Sequence, residues 1–162
     1  MKMDNLRDLL IDNIKDLHSA ETQLTKALPK MAESATHPDL RRAIDSHLYQ
    51  TQRHVERLEQ ALTLLNANGK SKKCKGMEGL IEEGKEVLDE KMARDVKDAA
   101  LIGAAQKAEH YEIAGYGTAV TYASTIGATE VAQLLRQTLD EEKQTDQQLT
   151  MLAEMFVNEQ AA

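Results

Sequence analysis

The chain has no tryptophan and a single phenylalanine, Phe156, and aromatic residues make up 3 % of it. A core with so few rings has to be filled by Leu, Ile, Val, Met and Ala, which suits helix packed on helix. Proline occurs only at Pro29 and Pro38, and glycine eight times. A β-protein of 162 residues would need many more turn residues. The lone cysteine, Cys74, excludes an internal disulfide. No apolar run approaches the ~20 residues of a membrane span. The opening MKMDNLRDLL has acids and no apolar h-region, so no secretory signal is expected. Together these features predict a soluble protein of the reducing cytoplasm. A surplus of positive charge is also missing: the formal net charge is −7. Nucleic acid is therefore not an expected partner. The one dense basic run, KSKKCK at 70–75, reads as a solvated connection. Cys74 is expected to be an incidental loop thiol, its pKa lowered by the lysines around it.

What the chain does contain is helix formers. Ala is abundant, 29 % of residues are charged, and the length fits one domain. Apolar residues recur at helical spacing in four long stretches. The first, about 4–34, carries Leu6, Leu10, Ile14, Leu17, Leu24, Leu28 and Met31, with Pro29 predicting a kink or late break. The second, about 38–68, opens on Pro38, carries Leu40, Ile44, Leu58, Leu62 and Leu65, and should end at Asn68-Gly69. A short helix within 76–90, broken at Gly84, presents Met77, Leu80, Ile81, Val87 and Leu88 to a partner or to the bundle end. The third long helix covers about 94–125, with Gly103, Gly115 and Gly117 allowing close approach of neighbours. The fourth covers about 129–158 with Val131, Leu135, Leu149, Leu152 and Phe156. Short links make each consecutive pair a hairpin. The link between pairs, roughly 25 residues with its own helix, suits the crossover of a ferritin-like four-helix bundle. An up-down-up-down bundle with the short helix capping one end is the alternative.

Each stripe is interrupted near its middle by polar residues. Glu21 falls on the buried face of the first helix. His47, Thr51 and His54 do so in the second, with Gln50 at the edge. Glu109, Glu112 and Tyr116 interrupt the third, and Glu142 the fourth, with Thr145 and Asp146 beside it. Helix midpoints lie near residues 19, 53, 110 and 143, so at ~1.5 Å rise per residue all these groups share one central layer. Singly, each has an ordinary reading: a surface acid at a helix edge, a hydrogen-bonded core histidine, a charged face. Jointly they place several carboxylates at one depth, which is costly unless they are protonated or hold a cation. Oxygen-rich sites with one or two imidazoles suit iron or manganese, less often zinc.

Several stretches resemble the YciF/YciE type of ferritin-like bacterial stress proteins. They are DLHSAETQLTKALPKMAE in the first helix, His47 to Thr51, Arg57 to Glu59, MEGLIEE at 77–83, DAALIGAAQKAEHYEIAGYGT at 98–118 and LDEEKQTDQQLT at 139–150. The similarity spans nearly the whole chain. It implies a rubrerythrin- and ferritin-like bundle, often dimeric. In di-metal members of that superfamily each half gives one Glu from its first helix and a Glu-x-x-His pair from its second. Carried over, Glu21 matches the single Glu of the first half, Glu112 with Glu109 matches the second half, and Glu142 matches the fourth-helix carboxylate. The chain departs from the pattern in having no Glu-x-x-His in its second or fourth helix. It offers His47-x-x-Gln50, and Glu142 followed by Thr145 and Asp146.

Three functions follow as expectations. The first is an iron- or manganese-dependent carboxylate centre, with one or two ions, acting on a small oxidant such as peroxide or oxygen. In it Glu21 and Glu112 would bridge. His47, Glu109, Glu142 and Asp146 would be terminal ligands, and Tyr116 would donate a proton or hydrogen bond. Gln50, Thr51, His54 and Thr145 would stand behind the ligands. The second is a non-catalytic structural or scaffold stress protein whose site is metal-free. The third is a small storage cage, for which no shell interface is evident. A homodimer is expected by analogy alone.

Overall fold

A computed structural model describes residues 3–67 and 72–162. The expected helix end at Asn68-Gly69, and Lys70 and Ser71 of the basic run, lie outside the described residues. The elements are α1 (Leu6–Ser34), α2 (Pro38–Leu64), α3 (Lys75–Asp89), α4 (Arg94–Thr125) and α5 (Thr129–Leu152). A π-helical turn (Ala153–Val157) and a last helical turn, α6 (Asn158–Ala161), follow.

Cross-helix contacts fix the topology. His18 meets Glu59, so α1 and α2 are antiparallel neighbours, and Gln106 meets both Asp146 and Thr150, joining α4 to α5. His54 and Arg57 meet Glu141 while Gln50 meets Thr145, so α2 runs antiparallel to α5. Thr36 meets Asp98 and Glu21 meets Tyr116, so α1 runs antiparallel to α4. In a ring of alternating neighbours, the diagonal pair α2 and α4 must be parallel. The chain can join two parallel helices only by crossing the length of the bundle. The segment holding α3 does so, packed along α1 and α4. This is the ferritin-like crossover, not up-down-up-down.

Local details depart from the sequence reading at several points. α1 continues through Pro29, because Leu28, Met31 and Ala32 on either side are buried and outweigh one lost backbone bond. α3 is unbroken at Gly84 and lays Leu80, Ile81, Val87 and Leu88 on the core rather than leaving them for a partner. Gly115 alone of the three α4 glycines serves close approach. A Cβ there would come within 2.7 Å of Leu17 Cδ2, whereas nothing lies within 4 Å of one at Gly103 or Gly117. Phe156 is 42 % exposed and Val157 is buried in its place. The π-turn inserts one residue into the helical register and swings Phe156 outward.

Cys74 is not a loop thiol. It is fully buried at the start of α3, where its sulfur accepts from the Met77 amide and lies 3.0 Å from the Tyr111 hydroxyl. Burial raises its pKa, against the opposing Tyr111 hydrogen bond, so neighbouring lysines in the chain do not activate it.

The α1–α2 turn is held by Asp98, 1 % exposed, whose carboxylate accepts from the Thr36 amide (2.8 Å), the Thr36 hydroxyl (2.6 Å) and the His37 amide (2.8 Å). Asp98→Ala strands buried donors and is expected to cost about 2–3 kcal/mol. Thermal unfolding should show this as a midpoint lowered by roughly 5–10 °C. An unchanged midpoint would mean that water replaces the carboxylate at no cost.

Candidate metal centre

The apolar core is split in two. One cluster holds Leu24, Leu28, Leu40, Ile44, Leu101 and Leu149. The other holds Leu10, Ile14, Leu58, Val120, Leu135 and Leu139. Between them lie Glu21, His47, His54, Glu109, Glu112, Tyr116 and Glu142, none more than 4 % exposed. Side chains three, four or seven residues apart on one helix share a face. His47, Thr51 and His54 therefore enter the layer from α2, and Glu109, Glu112 and Tyr116 from α4.

Ligand-capable atoms gather into two sets. His47, Glu109, Glu112 and Glu142 form one, and Glu21, His54 and Glu142 the other, with the atoms of each set within 4.8 Å of one another. Glu142 belongs to both. The shared position thus falls to Glu142, where the sequence reading assigns bridging to Glu21 and Glu112. His54, expected behind the ligands, stands among them. His47 Nε2 lies 2.9 Å from Glu109 Oε1, across the bundle diagonal. His54 Nδ1 lies 2.9 Å from Glu142 Oε1 and 3.2 Å from Glu21 Oε1, aligned for a hydrogen bond with neither. Tyr116 donates to Glu21 Oε1 at 2.5 Å.

Asp146, expected as a terminal ligand, is placed outside both sets. Its carboxylate lies 3.2 Å from His110 Nε2 and accepts from Gln106 at 3.1 Å, nearer the surface. Thr145 donates to Gln50 Oε1 at 3.3 Å and to the Glu141 carbonyl, and the buried Thr51 hydroxyl has no hydrogen-bond partner.

Burial governs the electrostatics. It raises the pKa of Glu109 to about 8 and of Glu142 to about 7. It also raises those of Glu21 and Glu112, with Glu142 adding repulsion to both. Burial lowers the pKa of His47 and raises that of Tyr116. For His54 burial opposes the charge, but contact with Glu142 and Glu21 outweighs it and pushes the pKa up to about 10. Burial thus favours the protonated form of these carboxyls, and the carboxylates beside His54 favour its charged form.

Polar atoms in this layer are poorly paired. Both oxygens of Glu112 and of Glu142, one each of Glu21 and Glu109, His47 Nδ1 and His54 Nδ1 are buried without a hydrogen-bond partner. Such atoms are costly in a folded protein, and here they are concentrated at one point. His54 is oriented from behind by a carboxylate. Its Nε2 meets Glu141 Oε2 at 2.8 Å, and Glu141 is held by Arg57 at 2.6 and 2.9 Å. A neutral imidazole donating one N–H to a carboxylate presents the other nitrogen's lone pair, as metal-binding histidines do, and His54 reaches that form only on losing a proton. Here that nitrogen faces Glu21 and Glu142. Arg57 and Glu141 are invisible to sequence reasoning as site residues, since each alone reads as part of a charged helix face. The offset of three between His54 and Arg57, and Glu141 beside Glu142, are the only hints.

Fold and centre together define a ferritin-like helical bundle with a buried carboxylate–histidine cluster. The chain belongs to the family described as domain of unknown function DUF892, which matches residues 5–162. It is 46 % identical over 162 residues to the protein YciF of Escherichia coli strain K12, covering 99 % of this chain and 98 % of that protein. The crystal structure of the E. coli stress protein YciF superposes with a TM-score of 0.92, covering 96 % of this chain and 99 % of that one. YcfI of Rhodopseudomonas palustris, for which a structural role has been suggested, is 40 % identical with a TM-score of 0.89, covering 92 % of this chain and 95 % of that one. A Xanthomonas campestris protein, 23 % identical with a TM-score of 0.75 over 94 % of each chain, shares the fold. Among the described residues no helix is long and apolar enough to cross a membrane.

Proposed function

We propose that the centre holds one or two iron or manganese ions and that the protein handles a small oxidant such as hydrogen peroxide during stress. The observation that carries this is the convergence of four buried carboxyl groups and two buried imidazoles, each with at least one polar atom that lacks a hydrogen-bond partner, on two adjoining sets that share Glu142. The donor set is rich in carboxylate oxygen with one imidazole per set, which suits iron or manganese. Bound there, such ions supply two-electron exchange with peroxide. His47, Glu109 and Glu112 would hold one ion, Glu21 and His54 the other, with Glu142 between. The Tyr116 hydroxyl oxygen lies 2.5 Å from Glu21 Oε1 and donates its proton there, which fixes that carboxylate's orientation. Apolar residues pack on both sides of the layer.

Anaerobic loading with ferrous iron or manganese followed by a peroxide-consumption assay tests the reading. Metal-dependent loss of peroxide is expected. A protein that binds metal and leaves peroxide untouched would contradict the oxidant role. Arg57→Ala frees Glu141 and with it His54. Metal affinity should fall about 10- to 100-fold, as for other outer partners of ligating histidines. A titration curve unchanged from the parent would show that His54 needs no such support.

A metal-free structural protein is the second reading, favoured by Gln50 where a ligand is expected and by the structural role suggested for the R. palustris relative. Stoichiometric transition metal in protein purified without chelators would sink it. We also place a homodimer contact on Met151, Met155 and Phe156, which are 42–63 % exposed and line the α2–α5 groove. Light scattering should give a dimer that Met155→Glu dissociates. A monomeric parent protein would remove the proposal.

A further inference from the structure

A cavity of about 260 Å³ lies between α1, α3 and α4 and opens to solvent. Its walls are aliphatic: Leu28 and Met31 from α1, Leu80 and Leu88 from α3, Ala105 and Ala108 from α4. At ~30 Å³ per water, about eight or nine waters would be needed to fill it, and these walls offer them few partners. A methylene occupies about the space of a water, so the same volume takes a chain of roughly eight to ten carbons.

Three further observations restrict the occupant. Gly84, buried in the interior of α3, forms part of the lining, and nothing lies within 4 Å of the position its Cβ would take. Alanine or leucine at that position would favour the helix more than glycine does. Either would also project into open space, so the glycine keeps room that α3 itself does not need. Lys26, Lys30 and Lys85 line the cavity and are exposed, and none forms an ion pair among the described residues. Glu109 is the only carboxylate in the lining, which makes this a local cationic rim on a chain of formal charge −7. At its buried end the cavity reaches His47 and Glu109 of the candidate metal centre.

We infer that this cavity binds a medium-length aliphatic chain with an anionic head, of the alkyl-carboxylate class. The chain lies along the α1–α3–α4 walls with the head among Lys26, Lys30 and Lys85. The bound chain ends beside His47 and Glu109 of the proposed metal centre. Binding itself requires no ion. The inference deepens the metal reading only in that last respect, and it stands or falls separately from it.

The test is calorimetric titration of metal-free protein with decanoate, with decanol as the uncharged control. Saturable one-to-one binding of decanoate is expected. Gly84→Leu fills the cavity from α3 and should weaken binding at least about tenfold without lowering the unfolding temperature. Ala105→Met fills it from the opposite wall and should do the same, so the result does not hang on one variant. Lys30→Gln combined with Lys85→Gln should weaken decanoate several-fold and leave decanol unchanged. No saturable binding to the folded parent protein, or equal binding by both cavity-filled variants, overturns the inference. Decanol binding as tightly as decanoate overturns the anionic head. Decanoate binding by a protein that takes up no metal would leave the cavity assigned and the metal reading refuted.

Discussion

Replacing Glu142 by alanine is expected to remove both halves of the centre at once. Its carboxylate is the one ligand group common to the two sets, and it lies within 2.9 Å of His54 Nδ1. Without it, one set keeps His47, Glu109 and Glu112 and the other keeps only Glu21 and His54. Two ligands do not hold a divalent ion against water. The three that remain lose a charge that offsets the ion's own. The loss of affinity should exceed the ~10- to 100-fold typical of an outer-shell partner. Metal measured by plasma mass spectrometry should fall to a trace. Glu21→Ala, by contrast, touches one set and should leave about one equivalent if the parent protein holds two. If Glu142→Ala retains the metal of the parent protein, the shared position is wrongly assigned. The variant should still fold, because the group removed is a buried carboxyl with no hydrogen-bond partner on either oxygen.

The second large effect is a pH dependence that metal reverses. In the folded metal-free protein Glu109 and Glu142 keep their protons up to about 8 and about 7, against an ordinary value of 4.5. Between those limits the unfolded chain binds fewer protons than the folded one, so stability falls as pH rises. His54 acts in the same direction. Its pKa is raised from 6.5 to about 10, so its contribution is complete below 6.5 and is lost as pH climbs through 10. His47, whose pKa burial lowers, acts the other way, but the three raised groups outweigh it, so metal-free protein should lose stability from pH 5 to pH 9. Metal needs the same carboxylates ionised and His54 deprotonated, so its binding releases protons and strengthens with pH. The stabilisation on adding manganese should be small at pH 5 and large at pH 8. Scanning calorimetry across that range, with and without the ion, measures both slopes. A metal-free midpoint that rises with pH would show that the carboxyls are already ionised and held by partners other than protons.

The fold was legible because its signals are local and repeated. Leu10, Ile14, Leu17, Leu24 and Leu28 mark one face of α1 by spacing alone, and all are buried. The central layer was legible for the same reason: Glu21, His47, His54, Glu109, Glu112 and Glu142 occupy stripe positions where apolar residues belong. What spacing along one helix cannot give is which residues of different helices meet. Arg57 and Glu141 are 84 positions apart and join only through the α2–α5 contact. The preference of Asp146 for His110 and Gln106 over the centre is a matter of depth, not of periodicity. Cys74 misled because its sequence neighbours are lysines, whereas its spatial neighbours are Ser19, Tyr111 and Met77. Phe156 misled because a π-turn shifts the register in a way that no apolar period announces. The cavity beside α3 was hidden for a related reason. Gly84 reads as a helix breaker, and only the packed structure shows that the space above it is empty.

Anomalous X-ray diffraction at the iron and manganese edges, from crystals of protein loaded without chelators, tests the central claim most directly. The account predicts two peaks flanking the Glu142 carboxylate, one among His47, Glu109 and Glu112, the other between Glu21 and His54 Nδ1, with Nε2 of that ring still on Glu141. A well-ordered layer with no anomalous peak at either edge, its carboxyls hydrogen-bonded to one another, would contradict it.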